Sequence, residues 1–387
     1  MYKRLLYCIL PILSFCQFSL YAQIEPLIKD RLFSNLLKEE RPLIIQLPKS
    51  YHKSQHEKYP VLYLLDAADN IAHTTGTIDF LSRSGEIPEM IVVGIVNTER
   101  FRDFSPSEDP KIKLKTGGGK VFLEFLESEL VPFVNDNYRS EAFKVLAGHS
   151  LGGLFTLFSL QAKPGLFQAH FAFSPSLQWN EKEIVTSLKV KLLNSKQLKT
   201  FVYMNLGDER MAMREGFDEL SRHLSESKIE GLDSKVDLFE SETHGTTPVI
   251  GLFHALRRLY HDWRVSFDIL KTGYQPIVEH FEKLSDRYGY QITPKEALIN
   301  GAGYYQLLEN KNFANAKQLF ELNVQNYPES ANTYDSLAEA YEANEEIVRA
   351  LELVNKAISL AAKDDKRLKE FAKHKESLLK KLELRGD

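Results

Sequence analysis

The sequence predicts a doubly wound α/β domain with a mostly parallel sheet, followed by an all-helical region. Continuous apolar runs, such as residues 59–66 and 90–96, are typical of strands buried on both faces of a parallel sheet. These runs alternate with helix-like segments up to about residue 265, which is the order of a doubly wound fold. Beyond that point the strand-like runs end and helical patterns continue.

The composition is that of a globular chain with ample core, since 43% of its 387 residues are hydrophobic and 26% are charged. The formal net charge is −4 and there is no basic block. Because phosphate binding needs clustered Lys and Arg, we expect no nucleic-acid partner.

Residues 1–22 have the pattern of an export signal. A positively charged start is followed by an apolar stretch over residues 5–20, which is too short for a membrane span. Cleavage is predicted after Ala22. We therefore expect a mature chain that is exported, periplasmic or secreted, and that does not span a membrane.

Both cysteines of the sequence, Cys8 and Cys16, lie inside this segment. The mature chain is therefore expected to contain no disulfide, no cysteine nucleophile and no thiolate metal site. Lipidation at Cys16 is disfavoured, because the bulky Phe15 precedes it where a small residue is usual.

The first half of the α/β domain is predicted to begin with an antiparallel pair of strands and to continue with two buried strands. These four strands are expected at residues 27–33, 42–47, 59–66 and 90–96. A helix up to Ser84 separates the two buried strands, and another helix follows over residues 120–138. The long polar loop 98–115 contains Arg100 and Arg102.

The second half continues the alternation of strands and helices. Strands are predicted at residues 143–147, 168–173, 201–206 and 236–240, and helices at residues 151–162, 212–228 and 248–265. Pro248 suits the first turn of the last helix, where its missing N–H needs no partner. Residues 23–265 are thus predicted to form one domain.

A Gly-x-Ser-x-Gly motif stands between a predicted strand and a predicted helix. Its residues are Gly148, His149, Ser150, Leu151 and Gly152, and Gly153 follows. A sharp strand–turn–helix connection exposes the serine at its tip and leaves no room for side chains two residues to either side. Ser150 is therefore a candidate nucleophile, and the N–H of Leu151 is expected to face a developing oxyanion. The side chain of His149 is expected to point away from the reacting side of Ser150.

An activated serine needs a base, and the base needs a carboxylate that orients it. Among eleven histidines, only His244 follows the last predicted strand in a short polar loop, so it is the candidate base. The carboxylate is expected in the loop after the preceding strand, where Asp208 and Glu209 both qualify. A second oxyanion donor is expected after the third predicted strand, with the N–H of Ala68 as the candidate.

Five segments together carry a family resemblance. They are YPVLYLLD at residues 59–66, RDFSP at 102–106, GHSLGGL at 148–154, SPSL at 174–177 and HG at 244–245. Over residues 30–265 the sequence resembles the putative-esterase family of α/β-hydrolases. That family includes enterochelin-type siderophore esterases, S-formylglutathione hydrolase, feruloyl esterase modules and the antigen 85 mycolyltransferases.

The resemblance implies an α/β-hydrolase fold and a triad of Ser150, Glu209 and His244, because the family's acid is often a glutamate in this loop. The sequence departs from the family pattern at two positions. Ala67 stands where the family usually has glycine, and Gln178 stands where it often has a tryptophan before the one at Trp179.

The predicted activity is hydrolysis of carboxylic esters, siderophore-type or carbohydrate-linked, through an acyl-serine intermediate. Arg100, Arg102 and Trp179 are the candidate substrate-binding residues. Two alternatives stay open: an acyltransferase with the same triad, and a non-catalytic binding protein that uses its helical region. The sequence has no metal-ligand spacing and no phosphate-binding loop, so no metal or cofactor is expected.

Residues 266–387 are predicted to be helical and to contain an internal repeat. At an offset of 34 residues, Ala316 and Phe320 correspond to Ala350 and Val354. This offset indicates about two tetratricopeptide-like units, with an ordinary pair of helical hairpins as the alternative. A closing helix is predicted over residues 364–384. The region is also a candidate site for a protein partner.

Overall fold

The computed structural model of the chain describes residues 26–52, 56–209, 212–361 and 365–385. These residues form two compact units, the first ending at His261 and the second beginning at Asp262. The predicted export segment, residues 1–22 with both cysteines, lies outside the described residues.

The first unit is built on one eight-stranded sheet. Its strands are β1 Ile28–Ser34, β2 Glu39–Gln46, β3 Tyr59–Leu64, β4 Ile91–Ile95, β5 Ser140–His149, β6 Ala169–Phe173, β7 Gln197–Leu206 and β8 Glu230–Leu238. They lie in the order β1-β2-β4-β3-β5-β6-β7-β8. Strand β2 is antiparallel to β1 and β4, and every pair from β4 to β8 is parallel. The predicted mostly parallel α/β-hydrolase sheet is confirmed.

Helices connect the parallel strands of this sheet. They are α1 Ala67–Arg83, α2 Arg100–Phe104, α3 Gly119–Phe125, α4 Val131–Asn137, α5 Leu151–Ala162, α6 Glu183–Asn194, α7 Ala212–Glu226 and α8 Thr247–Leu259. A π-type turn at Leu126–Leu130 joins α3 to α4, so the single helix predicted over residues 120–138 is continuous but locally widened.

Three central strands, β3, β4 and β6, are buried along their whole length. A strand covered on both faces has no polar side to show, which is why its sequence is apolar without alternation. Strand β8 shows the opposite pattern, because its residues are half-buried or exposed. The prediction that β8 begins at residue 236 was wrong by several residues, since its first half is polar and carries no apolar signal.

Two short helices were missed by the sequence interpretation. Helix α2 lies inside the predicted loop 98–115, and helix α6 lies between the strands β6 and β7. The first is held by side-chain contacts of Arg100 and Asp103 with other elements, which a local pattern does not reveal. The second buries Ile184, Val185 and Leu188 against the core.

The pairing register brings the carboxyl ends of the parallel strands to one edge of the sheet. Leu64 pairs with Ala147 across β3 and β5, and His149 pairs with Phe173 across β5 and β6. Leu206 likewise pairs with Leu238 at the ends of β7 and β8. The loops that follow these strands therefore share the edge at which such sheets bind their ligands.

The second unit is entirely helical in its described residues, as predicted. Its helices are α9 Phe267–Thr272, α10 Tyr274–Tyr288, α11 Glu296–Tyr304, α12 Phe313–Asn326, α13 Ala331–Ala343, α14 Ile347–Leu360 and α15 Leu368–Arg385, with a π-type turn at Tyr305–Glu309. Successive helices from α11 to α15 pack against one another. No helix among the described residues is both long and apolar enough to cross a membrane.

The residues that define the predicted repeat lie in the core of this unit. Ala316, Phe320, Ala350 and Val354 are all fully buried. A side chain at Gly303 would collide with the ring of Phe320, so the helices approach closely there. Such burial is shared by ordinary helical hairpins, and the tetratricopeptide-like assignment stays a prediction.

Candidate active site

Ser150 occupies a strained turn between β5 and α5. Its backbone has φ 58° and ψ −115°, a conformation that costs a non-glycine residue about 1–3 kcal/mol and is typical of functional turns. A Cβ at Gly148 would collide with the carbonyl oxygen of Gly152, and one at Gly153 would lie 3.0 Å from the carbonyl oxygen of Phe173. The glycines are therefore required by the sharpness of the turn.

The loop after β6 holds the strained turn in place. The N–H of Ser150 donates to the Phe173 carbonyl at 2.9 Å, and the Ser150 carbonyl accepts from the N–H of Ser176 at 3.0 Å. The two serine Oγ atoms lie 3.3 Å apart. Ser176, part of the SPSL segment, thus contacts both the main chain and the side chain of the candidate nucleophile.

The predicted oxyanion donors both lie in the first turns of helices. Leu151 is the first residue of α5 and Ala68 is the second residue of α1, and N–H groups at these positions have no partner within the helix. A Cβ at Gly152 would lie 3.1 Å from Asp66 Oδ2 and 3.5 Å from Leu65 Cβ. The turn after β3, which carries Ala68, therefore lies directly against the first turn of α5.

A histidine–carboxylate pair lies in the loops after β7 and β8. His244 Nδ1 is 2.8 Å from Glu209 Oε1, and the two side chains are 41% and 10% exposed. Gly207 permits this approach, because a Cβ there would lie 3.0 Å from Glu209 Oε2. Asp208, the other candidate acid, is exposed, and the contact with His244 is made by Glu209.

The other ring nitrogen of His244 is available. Within the described residues, His244 Nε2 has no hydrogen-bond partner, and no hydrogen bond joins it to Ser150. Such bonds are often long in ligand-free enzymes and tighten when a substrate is bound.

His149 contacts His244, which the sequence interpretation missed. Its ring centroid lies 4.5 Å from that of His244, and its Nε2 is 2.8 Å from the His244 carbonyl oxygen. The sequence interpretation expected this side chain to point away from the reacting side of Ser150 and did not foresee a contact with the loop after β8, which lies against the end of β5. Burial, followed by repulsion from His244, lowers the pKa of His149 to about 4, so the ring is neutral near pH 7.

Arg100 connects the loop after β4 to the turn at residues 148–152, which we call the elbow. Its Nε and Nη2 donate to the two carboxylate oxygens of Asp66 at 2.7 and 2.9 Å, and Nη2 also lies 3.3 Å from the His149 carbonyl oxygen. Asn97 donates a further hydrogen bond to Asp66. Arg100 thereby balances the negative charge of the nearly buried Asp66 carboxylate beside the predicted oxyanion site.

A polar cavity of about 370 Å³ opens beside this group. Its lining includes the side chains of Asp69, Asn70, His73, Arg100 and His149. Arg100 is therefore the one predicted substrate-binding residue that lines this cavity in the described part of the chain.

Arg102 and Trp179, the other predicted substrate-binding residues, are not part of the lining of this cavity. Arg102 forms hydrogen bonds with Glu39 at 2.7 and 3.0 Å and with Asp103 at 2.7 Å. Its hydrogen bond to Glu39 lowers the pKa of that carboxyl to about 2. Trp179 is 8% exposed and its indole Nε1 is buried without a described partner.

Residues of the first unit are similar in sequence to known proteins. Residues 34–266 match the family model described as Putative esterase. The chain is 30% identical over 229 residues to the Ferri-bacillibactin esterase BesA of Bacillus subtilis, a match that covers 52% of this chain and 79% of that protein.

Solved structures also resemble the chain, and two of them cover most of its length. An IroE-like serine hydrolase from Shewanella oneidensis is 28% identical, with a TM-score of 0.69 over 78% of this chain and 99% of that one. An uncharacterised protein from Capnocytophaga ochracea, 17% identical, shares the fold with a TM-score of 0.67 over 92% of this chain and 99% of that one. The chain therefore belongs to the putative-esterase family of α/β-hydrolases and is a hydrolase of carboxylic ester bonds.

Proposed function

We propose that the chain is an exported serine esterase that uses Ser150, His244 and Glu209 as its catalytic triad. One observation carries the triad: the contact between His244 Nδ1 and Glu209 Oε1 lies in loops that meet the strained elbow of Ser150 at one edge of the sheet. Glu209 would accept the Nδ1–H of His244, which leaves Nε2 as the base.

The proposed reaction proceeds in two acyl transfers. Ser150 Oγ attacks the ester carbonyl carbon while His244 Nε2 takes its proton, and the carbonyl oxygen gains negative charge. The N–H groups of Leu151 and Ala68 donate to that oxygen, each contributing about 3 kcal/mol by analogy with other oxyanion sites. His244 then protonates the departing alcohol, and water repeats the sequence to release the acid and restore Ser150.

We propose a siderophore-type ester as the substrate. The support is the similarity to proteins named as a ferri-bacillibactin esterase and an IroE-like serine hydrolase. The cavity beside the elbow is lined mainly by polar side chains, among them Asn70, His73 and Arg100, and so suits a polar substrate. Carbohydrate-linked esters are the other predicted substrate class, and the same test includes them.

A panel of esters tests the activity and the substrate class together. Purified protein would be assayed with a cyclic catecholate siderophore, acetyl-xylan, methyl ferulate and p-nitrophenyl butyrate, beside the Ser150→Ala variant. We expect the highest kcat/KM for the siderophore and no turnover of any ester by the variant. Highest activity on acetyl-xylan or methyl ferulate would contradict a siderophore-type ester as the substrate. Turnover by Ser150→Ala would contradict the triad that contains Ser150.

Export is the part of the proposal supported by sequence pattern alone. N-terminal sequencing of the protein expressed in a bacterial host and recovered outside the cytoplasm is expected to begin at Gln23. An intact Met1 in the mature protein would contradict export.

A further inference from the structure

We propose that His149 is a positioning residue that holds the main chain and ring of His244 in place for proton transfer. This inference rests on the proposed roles of Ser150 and His244. It assigns a function to the residue that precedes the nucleophile, and it concerns the placement of the base and not the reacting atoms themselves.

The loop that carries His244 is also bound two residues before the base, where the N–H of Asp208 donates to the Glu242 carbonyl at 2.8 Å. The His244 side chain is 41% exposed. The His244 carbonyl accepts hydrogen bonds from His149 Nε2 at 2.8 Å and from Thr247 Oγ1 at 3.0 Å. The bond from Thr247 arises within the same loop and helix, so the bond from His149 is the one that joins the main chain of His244 itself to the sheet.

His149 is itself held firmly. It ends strand β5 and pairs with Phe173 of β6, and its carbonyl oxygen lies 3.3 Å from Arg100 Nη2. Arg100 is fixed in turn by its two hydrogen bonds to Asp66. The contact therefore joins a rigid part of the sheet to an exposed loop.

The hydrogen bond also shows which nitrogen of His149 donates. A carbonyl oxygen only accepts, so Nε2 of His149 must carry a proton. Because burial lowers the pKa of His149 to about 4, Nδ1 is unprotonated near pH 7 and the ring is neutral. The ring lies 4.5 Å from that of His244, at an interplanar angle of 46°. When His244 takes the proton of Ser150 it becomes a cation, and a neutral neighbour avoids the repulsion that a second cation would cause.

Two substitutions separate hydrogen bonding from packing. His149→Gln places an amide N–H near the position of Nε2, whereas His149→Phe keeps a ring and removes the donor. His254→Phe is the matched control, since His254 is an exposed histidine of α8 whose ring packs on Phe239 at 5.2 Å. Each variant would be assayed with p-nitrophenyl butyrate, and its thermal unfolding would be recorded.

We expect kcat of His149→Phe to fall about 10- to 100-fold with KM within about twofold, because a displacement near 1 Å of a catalytic group has effects of this size. His149→Gln is expected to keep kcat within about threefold, and His254→Phe to match the wild type. This pattern of kcat loss and rescue would not arise from packing alone, since Gln fills the ring's space poorly.

Two results would overturn the inference. The first is a His149→Phe variant that folds and retains wild-type kcat. The second is a folded His149→Gln variant whose kcat falls by about tenfold or more, and this result counts whether or not the Phe variant folds. If the wild type has no Ser150-dependent hydrolysis, the proposed function fails instead, so the two failures are distinguishable.

Discussion

One histidine of the α/β unit and one of the helical unit each lie against a carboxylate, and the two differ at one ring nitrogen. His244 contacts Glu209 through Nδ1 at 2.8 Å, and its Nε2 has no partner among the described residues. His374 contacts Asp335 through Nδ1 at 2.7 Å and Glu342 through Nε2 at 3.2 Å. The first ring is oriented and still able to exchange a proton, whereas the second is occupied on both sides.

The charges of the histidines in these two regions also differ. A histidine between two carboxylates donates from both nitrogens, which makes His374 an imidazolium. Burial opposes this charge, but the hydrogen bond and charge of Asp335, with the charges of Glu342 and Glu339, raise the pKa of His374 above its usual range. Beside the elbow, burial instead keeps His149 neutral. A histidine–carboxylate contact is therefore evidence for catalysis only when one ring nitrogen remains open to a substrate.

The largest expected effect separates the two histidines directly. His244→Gln should lower kcat by at least about 10⁴-fold, the size found when the base of a serine triad is removed. His374→Gln should leave kcat within about twofold, because that ring lies in the helical unit and both of its nitrogens bind carboxylates. Steady-state kinetics with p-nitrophenyl butyrate checks both values. Equal losses of kcat in the two variants would contradict the different roles assigned to His244 and His374.

The next effect concerns the acid beside His244. Glu209→Gln should lower kcat by about 10²- to 10⁴-fold with little change in KM, because an amide does not stabilise the imidazolium or fix its tautomer. Asp208→Asn is the matched control and should retain kcat within about threefold. The opposite ranking of these two variants would assign the acid to Asp208.

A smaller effect concerns the stability of the helical unit. Burial, with the charge of Asp335, raises the pKa of Glu339 to about 7. A raised pKa means that the folded state favours the protonated form. The contribution of Glu339 to the free energy of unfolding is therefore complete below pH 4.5 and is lost as the pH rises toward 7. The raised pKa of His374 acts in the same direction, since its contribution is complete below pH 6.5 and is lost at higher pH.

Hydrogen exchange in α15 of the full chain measures this dependence. The groups that face His374 are Asp335, Glu339 and Glu342 on α13, with Lys381 of α15 on Glu342 and Tyr304 near Glu339. We expect protection of residues 368–385 to fall by about 2 kcal/mol between pH 5 and pH 8, after correction for intrinsic exchange. Glu339→Gln should remove most of this change, and protection that is constant or rises with pH would contradict the assignment.

The smallest effect concerns the two arginines predicted to bind substrate. Arg100→Lys keeps a charge but loses the paired hydrogen bonds to Asp66, so we expect kcat to fall about tenfold as the turn carrying Ala68 shifts. Arg102→Lys should change kcat and KM by less than about twofold, because Arg102 contacts Glu39 and Asp103 away from the cavity. A raised KM in the Arg102 variant would return that residue to the substrate site.

Much of the fold was predictable because its signals are local. Buried parallel strands such as β3 and β4 are continuous apolar runs, and the glycines around Ser150 mark a turn that only they permit. The polar edge strand β8 and the short helix α2 carry no such signal, since they are stabilised by neighbouring elements.

The candidate site shows the same division. Ser150 and His244 were selected from chain order, because Ser150 directly follows β5 and His244 lies in the loop after β8. The contact of His149 with His244 joins residues distant in the sequence, and no periodic pattern announces it. Arg100 and Arg102 are similar in sequence context, and only their three-dimensional partners, Asp66 and Glu39, distinguish them.

Covalent labelling tests the central claim, that Ser150 is the nucleophile and His244 its base. The wild type and the variants Ser150→Ala and His244→Gln would be treated with a fluorophosphonate and analysed by intact mass and peptide mapping. We expect a single adduct on Ser150 in the wild type, none in Ser150→Ala, and labelling slowed by at least about 100-fold in His244→Gln. An adduct on another residue, or equal labelling of Ser150→Ala and wild type, would contradict the account.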